Sequence, residues 1–175
     1  IKFNDGADLT ADDVVFNFEQ WLDPEIGSSM LGLMSYLQPT NVEKVDDYTI
    51  KLHLDTPQIG VPEHLFHYPA QIVPRTFEGD LVRQPIGTGP FKVTDFKAND
   101  VVVLDVNPNY RDPVKPAFAN VILKGGGDPA SAARSVLETG EFDYAWNPQV
   151  APEILAQMLA AGKGEIISAF GTLVE

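Results

Sequence analysis

Six prolines, Pro57, Pro62, Pro69, Pro74, Pro85 and Pro90, fall between Thr56 and Pro90. Each fixes φ near −65°, lacks an N–H and clashes with the preceding helical turn, so this stretch can hold neither a long helix nor a central strand. It therefore has to be built from short pieces, with a segment that crosses between structural units. A domain boundary is expected close to Gln84-Pro85.

On either side of that stretch the local signals are stronger. Asn4-Asp5-Gly6 reads as a turn, and Thr10-Ala11-Asp12-Asp13 as an N-cap with an acidic residue at N3. Val14, Phe18, Trp21 and Leu22 follow at helical spacing, and Asp23-Pro24 closes the run because the residue before proline leaves the α region. A buried amphipathic helix is predicted over 11–22. Residues 25–39, rich in Gly, Ser, Met and Leu, read as loop or irregular helix. The run from Val42 to Leu54 predicts a hairpin with Tyr48, Ile50, Leu52 and Leu54 on one core-facing side.

Beyond the boundary, Phe91–Phe96, Val101–Val106 and Asn120–Lys124 read as strands, the first two joined by a turn at Lys97-Ala98-Asn99-Asp100. Asp128-Pro129 starts a helix with Ala132, Ala133, Val136 and Leu137 inward and Gly140 as its stop. Phe142–Trp146 and Glu165–Phe170 are predicted strands, and Ala151–Ala161 a helix. The chain is thus mixed α/β, arranged as two incomplete lobes. It begins and ends in mid-pattern, which is the expectation for a piece of something longer.

Composition restricts the function classes. The formal net charge is −13, from 25 acidic against 12 basic residues, and no basic cluster stands out, so nucleic acid and anionic membrane surfaces are disfavoured as partners. The absence of cysteine excludes disulfides, thiolate nucleophiles and thiolate metal ligands. No apolar run reaches the ~20 residues that cross a bilayer.

Candidate chemistry is sparse. Leu123-Lys124-Gly125-Gly126-Gly127-Asp128 has the strand, glycines and helix order of a phosphate cradle, but lacks the Lys and Ser/Thr of a phosphate loop and puts Asp128 where the anion would go. Glu63, His64 and His67 lack the His-Glu-x-x-His order, and no metal site is assigned. No carboxylate spacing selects a glycosidase pair, and Gly-x-Ser-x-Gly is missing, so no catalytic residue and no cofactor are assigned. The aromatics Phe66, Tyr68, Tyr144 and Trp146 stand where short elements meet loops, the usual lining of a cleft.

Phe3-Asn4-Asp5-Gly6 with Leu9-Thr10-Ala11-Asp12-Asp13-Val14, then Pro85-Ile86-Gly87-Thr88-Gly89-Pro90-Phe91, Asn107-Pro108-Asn109-Tyr110 and Gly140-Glu141-Phe142-Asp143, form an ordered series. In that order they resemble the blocks of family 5 extracellular solute-binding proteins, the peptide and nickel class that serves bacterial ABC transporters. Gly125-Gly126-Gly127 departs from the apolar residue and proline more usual there.

The resemblance implies a fragment of a bilobed type II periplasmic-binding-protein fold. Residues 1–84 would come from the small extra α/β lobe and 85–175 from ligand-binding lobe I, the second lobe being absent. It implies a periplasmic or extracellular component of an ABC importer, a monomer, with an optional lipid anchor on a segment outside this chain. Such a component is not an enzyme: it captures a solute, foremost a di- or oligopeptide, and passes it to permease subunits. Oligosaccharides and nickel chelates are alternatives, as is a non-transport peptide receptor or sensor. Tyr68 and Gln71 before the crossover, and Trp146 and Asn147 after Asp143, are the ligand-contact residues it suggests.

Overall fold

The computed structural model describes residues 1–125, 127–146 and 149–167. Helix α1 spans Ala11–Leu22, as the capping signal predicts. The Asp13 carboxylate accepts hydrogen bonds from the Thr10 N–H at 2.9 Å and the Thr10 hydroxyl at 3.0 Å, which satisfies a donor that the first turn leaves open. Phe18, Trp21 and Leu22 are buried, with the Phe18 and Trp21 rings 5.1 Å apart, and Val14 packs at the edge of the same cluster.

That core is completed by residues the sequence left irregular. A short helix α2, Ser29–Leu33, is capped by Ser28, whose hydroxyl accepts from the Met30 N–H at 3.2 Å. It brings Met30, Met34 and Leu37 to 0%, 0% and 2% exposure, the centre of the cluster. The hairpin pairs β1, Val42–Asp46, with β2, Thr49–Leu52, placing Val42 opposite Leu52. Ile50, Leu52 and Leu54 pack on the core, but Tyr48 is 77% exposed and does not share their face. Its N–H donates to the Asp46 carboxylate at 2.8 Å, which draws it into the turn and out of the strand.

The proline-rich stretch holds one further short helix, α3, Val61–Phe66, with Pro62 in its first turn, where the missing N–H costs nothing. The remainder is irregular and is fastened from α1. Asn17, 1% exposed, donates to the Val73 carbonyl at 2.6 Å and to the Asp13 carbonyl at 2.7 Å, and accepts from the Val73 N–H at 3.1 Å. Asp13 also accepts the Arg75 N–H at 3.0 Å. Two side chains of α1 thus take the part of a neighbouring strand for residues 73–75.

After the prolines, β3 (Phe91–Lys97), β4 (Val101–Val106) and β5 (Asn120–Lys124) form a sheet in that order, β3 and β4 antiparallel. Asn99 takes φ 60° in their turn, a conformation that asparagine tolerates.

Two compact units emerge, Ile1–Leu123 and Lys124–Glu175. Compactness within this chain is a different property from membership of a lobe in a longer protein, so the division at 84/85 remains a proposal. In the second unit α4, Pro129–Leu137, packs Ala133 and Leu137 with Met158 of α5, Pro152–Leu159. Asp128 caps α4 by accepting the Ser131 N–H and hydroxyl, each at 2.9 Å. Val136 is half-buried, whereas Ala132, expected inward, is exposed.

Two predicted strands are not formed among the described residues. Residues 142–146 carry no strand, because the N–H groups of Glu141 and Phe142 both turn back to the Ser135 carbonyl, at 2.8 and 3.2 Å, instead of reaching a ladder partner. Residues 165–167 are also irregular, and the rest of that expected strand, 168–170, lies outside the described residues.

Candidate functional site

Three of the four motif blocks meet in the first unit. The Asn4 N–H donates to the Gly87 carbonyl at 2.9 Å and its side-chain amide to the Pro85 carbonyl at 3.0 Å, while the Asn109 amide reaches the Asn4 carbonyl at 3.4 Å. Asn107, fully buried, donates from its side chain to the Gly89 carbonyl at 2.8 Å and from its backbone to the Pro90 carbonyl at 2.9 Å. Its side-chain oxygen accepts the Asn109 N–H at 2.9 Å. Proline at both ends of 85–90 removes N–H groups from that run, so its carbonyls are anchored by asparagines from elsewhere.

The braced loop walls a cleft of about 460 Å³, to which Asn4, Gln71, Leu81, Thr88, Phe91 and Lys92 contribute. That volume falls in the range of roughly 300–1,000 Å³ typical of small-molecule sites. The Asn4 amide is committed to Pro85, whereas the side chains of Gln71, Thr88 and Lys92 have no hydrogen-bond or ion-pair partner among the described residues.

Of Tyr68, Gln71 and Trp146, the described residues singled out from sequence, Gln71 lines this cleft. Tyr68 is 77% exposed and meets the His67 ring at a tilt of 38°, ring centres 4.8 Å apart. Trp146 belongs to the second unit, 81% exposed and edge-on to Tyr144 at 6.3 Å. Asn147 lies outside the described residues. The cleft residues missed were Asn4, Thr88 and Lys92, although each belongs to, or directly follows, a motif block.

Part of the charge elsewhere is tied up in structure. Lys44 bridges Asp12 at 2.8 Å and Asp47 at 3.0 Å, and Arg75 meets Asp12 at 2.9 Å, so α1, the hairpin and the proline-rich stretch share one ionic knot. The hydrogen bond from Lys44, with Arg75 adding, holds the Asp12 carboxyl below its ordinary range, and the hydrogen bonds to Asp12 and Asp47 raise Lys44. His64 is hydrogen-bonded through Nδ1 to the Tyr36 hydroxyl at 2.8 Å, a packing contact next to the core. Among the described residues no His, Cys, Asp and Glu side chains are grouped to hold a metal, and no helix is long and apolar enough to cross a membrane.

The fourth block is structural in this chain: Gly140 adopts φ 68°, and Glu141 and Phe142 close the C-terminus of α4. The order and convergence of the blocks agree with a sequence model described as bacterial extracellular solute-binding proteins, family 5 middle, which matches residues 1–168. The chain belongs to this family.

This family 5 chain is 28% identical over 174 residues to di/tripeptide-binding protein 2 of Pseudomonas aeruginosa, covering 89% of the chain and 32% of that relative. Two solved structures share its fold. One is MoaA of A. tumefaciens R10 in complex with mannopinic acid, with a TM-score of 0.73 and 28% identity over 82% of the chain and 29% of that protein. The other is NikZ of Campylobacter jejuni in complex with Ni(L-His), with a TM-score of 0.70 and 25% identity over 82% of the chain and 29% of that protein. The chain spans about a third or less, 28% to 32%, of the curated relatives it matches. Its fold is that of part of a periplasmic binding protein, as the sequence implied.

Proposed function

We propose that this chain is part of the substrate-binding component of an ABC importer, which captures a di- or oligopeptide outside the cytoplasm and delivers it to membrane permease subunits. The observation that carries the reading is the family match over residues 1–168, joined to the similarity to a di/tripeptide-binding protein. Binding occurs without chemistry: two lobes close on the solute, and the closed form is what the permease recognises. No cofactor takes part.

Residues 1–84 belong to the small extra lobe and 85–175 to ligand-binding lobe I, the second lobe lying outside this chain. The full-length protein acts as a monomer in the periplasm or at the cell exterior, with a lipid anchor on a segment outside this chain as one arrangement. Gln71 and Asn147 hydrogen-bond peptide amides, Trp146 stacks on the ligand and Tyr68 contacts it.

A second reading has specific support, since neighbours of similar fold were solved with an opine and with a nickel chelate. A thermal-shift screen of the full-length protein against di- to oligopeptides, oligosaccharides, mannopinic acid and Ni(L-His) separates them. A ligand at 100 times its dissociation constant adds about 2.7 kcal/mol of stability. Shifts with peptides support the first reading, shifts only with another class replace the ligand, and no shift with any class overturns solute capture.

A further inference from the structure

Against a net charge of −13, an anionic group approaches this chain only where a local cation outweighs the field. Several cations are already engaged: Lys2 by Asp8, Lys44 by Asp12 and Asp47, Arg75 by Asp12, Arg83 by Asp80, Lys97 by Asp95 and Arg134 by Glu138. Lys92 is not. It stands on β3 opposite Asp105 of β4, yet no carboxylate comes within 4.0 Å of its ammonium among the described residues. It is the one cation lining the described cleft, and none of the lining residues is acidic, in a chain with 25 acidic residues.

Two further side chains with unused hydrogen-bonding capacity line the same wall. Thr88 offers a hydroxyl and Gln71 an amide, both without partners among the described residues. The loop bearing Thr88 is held by Asn4 and Asn107 through its backbone carbonyls, and residues 85–89 together with Phe91 and Lys92 line the cleft. Lys92, Thr88 and Gln71 on one cleft, whose lining residues include no acid, supply ammonium, hydroxyl and amide donors of the kind a carboxylate accepts, and charge-assisted bonds of this type are about twice as strong as neutral ones.

We propose that the cleft beside β3 is a carboxylate subsite, with the Lys92 ammonium as counter-ion and Thr88 and Gln71 as flanking donors. This deepens the solute-capture reading and rests on it: the ligand carries a free carboxylate, whether the C-terminus of a peptide, the acid of an opine or that of a histidine chelate.

Affinity is measured by calorimetry on the full-length protein for an equimolar tripeptide mixture, the same mixture C-terminally amidated, mannopinic acid and Ni(L-His), each on wild type, Lys92→Met and Lys92→Arg. The probe that binds wild type is expected to lose about tenfold to a hundredfold on Lys92→Met and to keep most of its affinity on Lys92→Arg. If the source is a peptide, amidation costs wild type a similar factor and costs Lys92→Met little. A free-acid probe that binds wild type and Lys92→Met equally overturns the subsite while leaving solute capture intact. Binding of none of the probes to wild type removes solute capture, and the subsite with it.

Discussion

Replacing Asn17 with Ala tests whether the proline-rich stretch is fastened by α1. The side chain is 1% exposed and makes contacts at 2.6, 2.7 and 3.1 Å, two of them to the backbone of Val73. Each lost hydrogen bond is worth about 1 kcal/mol net, and a buried group left without a partner costs about 1–3 kcal/mol more. Val73 is half-buried, so water reaches its groups only in part. The expected loss is therefore about 2–4 kcal/mol.

Urea unfolding followed by tryptophan emission reads this directly, because Trp21 is buried in the first unit whereas Trp146 is already exposed. Asn17→Asp sharpens the test. It keeps the acceptor for the Val73 N–H but sets a carboxylate oxygen against two carbonyls, so at neutral pH it is destabilised more than Asn17→Ala. Protonation supplies one donor again, and the gap closes as pH falls. A change below about 0.5 kcal/mol for Asn17→Ala, or an Asp variant equal to the Ala variant at all pH values, would refute the fastening argument.

Three other outcomes are expected. Asp12, Asp46 and Asp128 are all held below their ordinary value of 3.8, by hydrogen bonds from Lys44, from the Tyr48 N–H and from the Ser131 N–H respectively, so their stabilising contribution is full above pH 3.8 and lost as pH falls through the lowered values; Asp12→Asn should flatten that acid limb in a pH-dependent melting series. Gly140→Ala forces a side chain into φ 68° and should cost about 1 kcal/mol in the second unit, read by hydrogen exchange of α4. Trp146→Ala in the full-length protein should weaken ligand binding by about 1 kcal/mol in calorimetry, and unchanged affinity would remove Trp146 from the contact set.

Helix α1 and strands β3 to β5 were legible because capping residues, period and turn chemistry agreed there. Met30, Met34 and Leu37 were not, even though they follow helical spacing, because Gly27, Ser28, Ser29 and Gly32 among them dilute both propensity and periodicity. The stretch 142–146 has strand composition, but a strand needs a partner to take its N–H groups, and those of Glu141 and Phe142 go to Ser135. In the cleft, Gln71 was singled out only through the family resemblance, whereas Lys92 was hidden among alternating strand residues. That it lacks a partner is a fact of three dimensions. The motif blocks pointed to the family, but their physical role as asparagine-to-carbonyl braces carries no periodic signal.

The braces on Asn4 also set an order of events. Its bonds close spans of 81 and 105 residues, to Pro85 and from Asn109. Contacts so distant in sequence raise the entropic barrier that folding must cross, and they slow it. For a chain synthesised from its N-terminus, residue 4 is made long before residue 109 can follow. The first motif therefore waits, unlatched, and the cleft wall sets only once the third has been made.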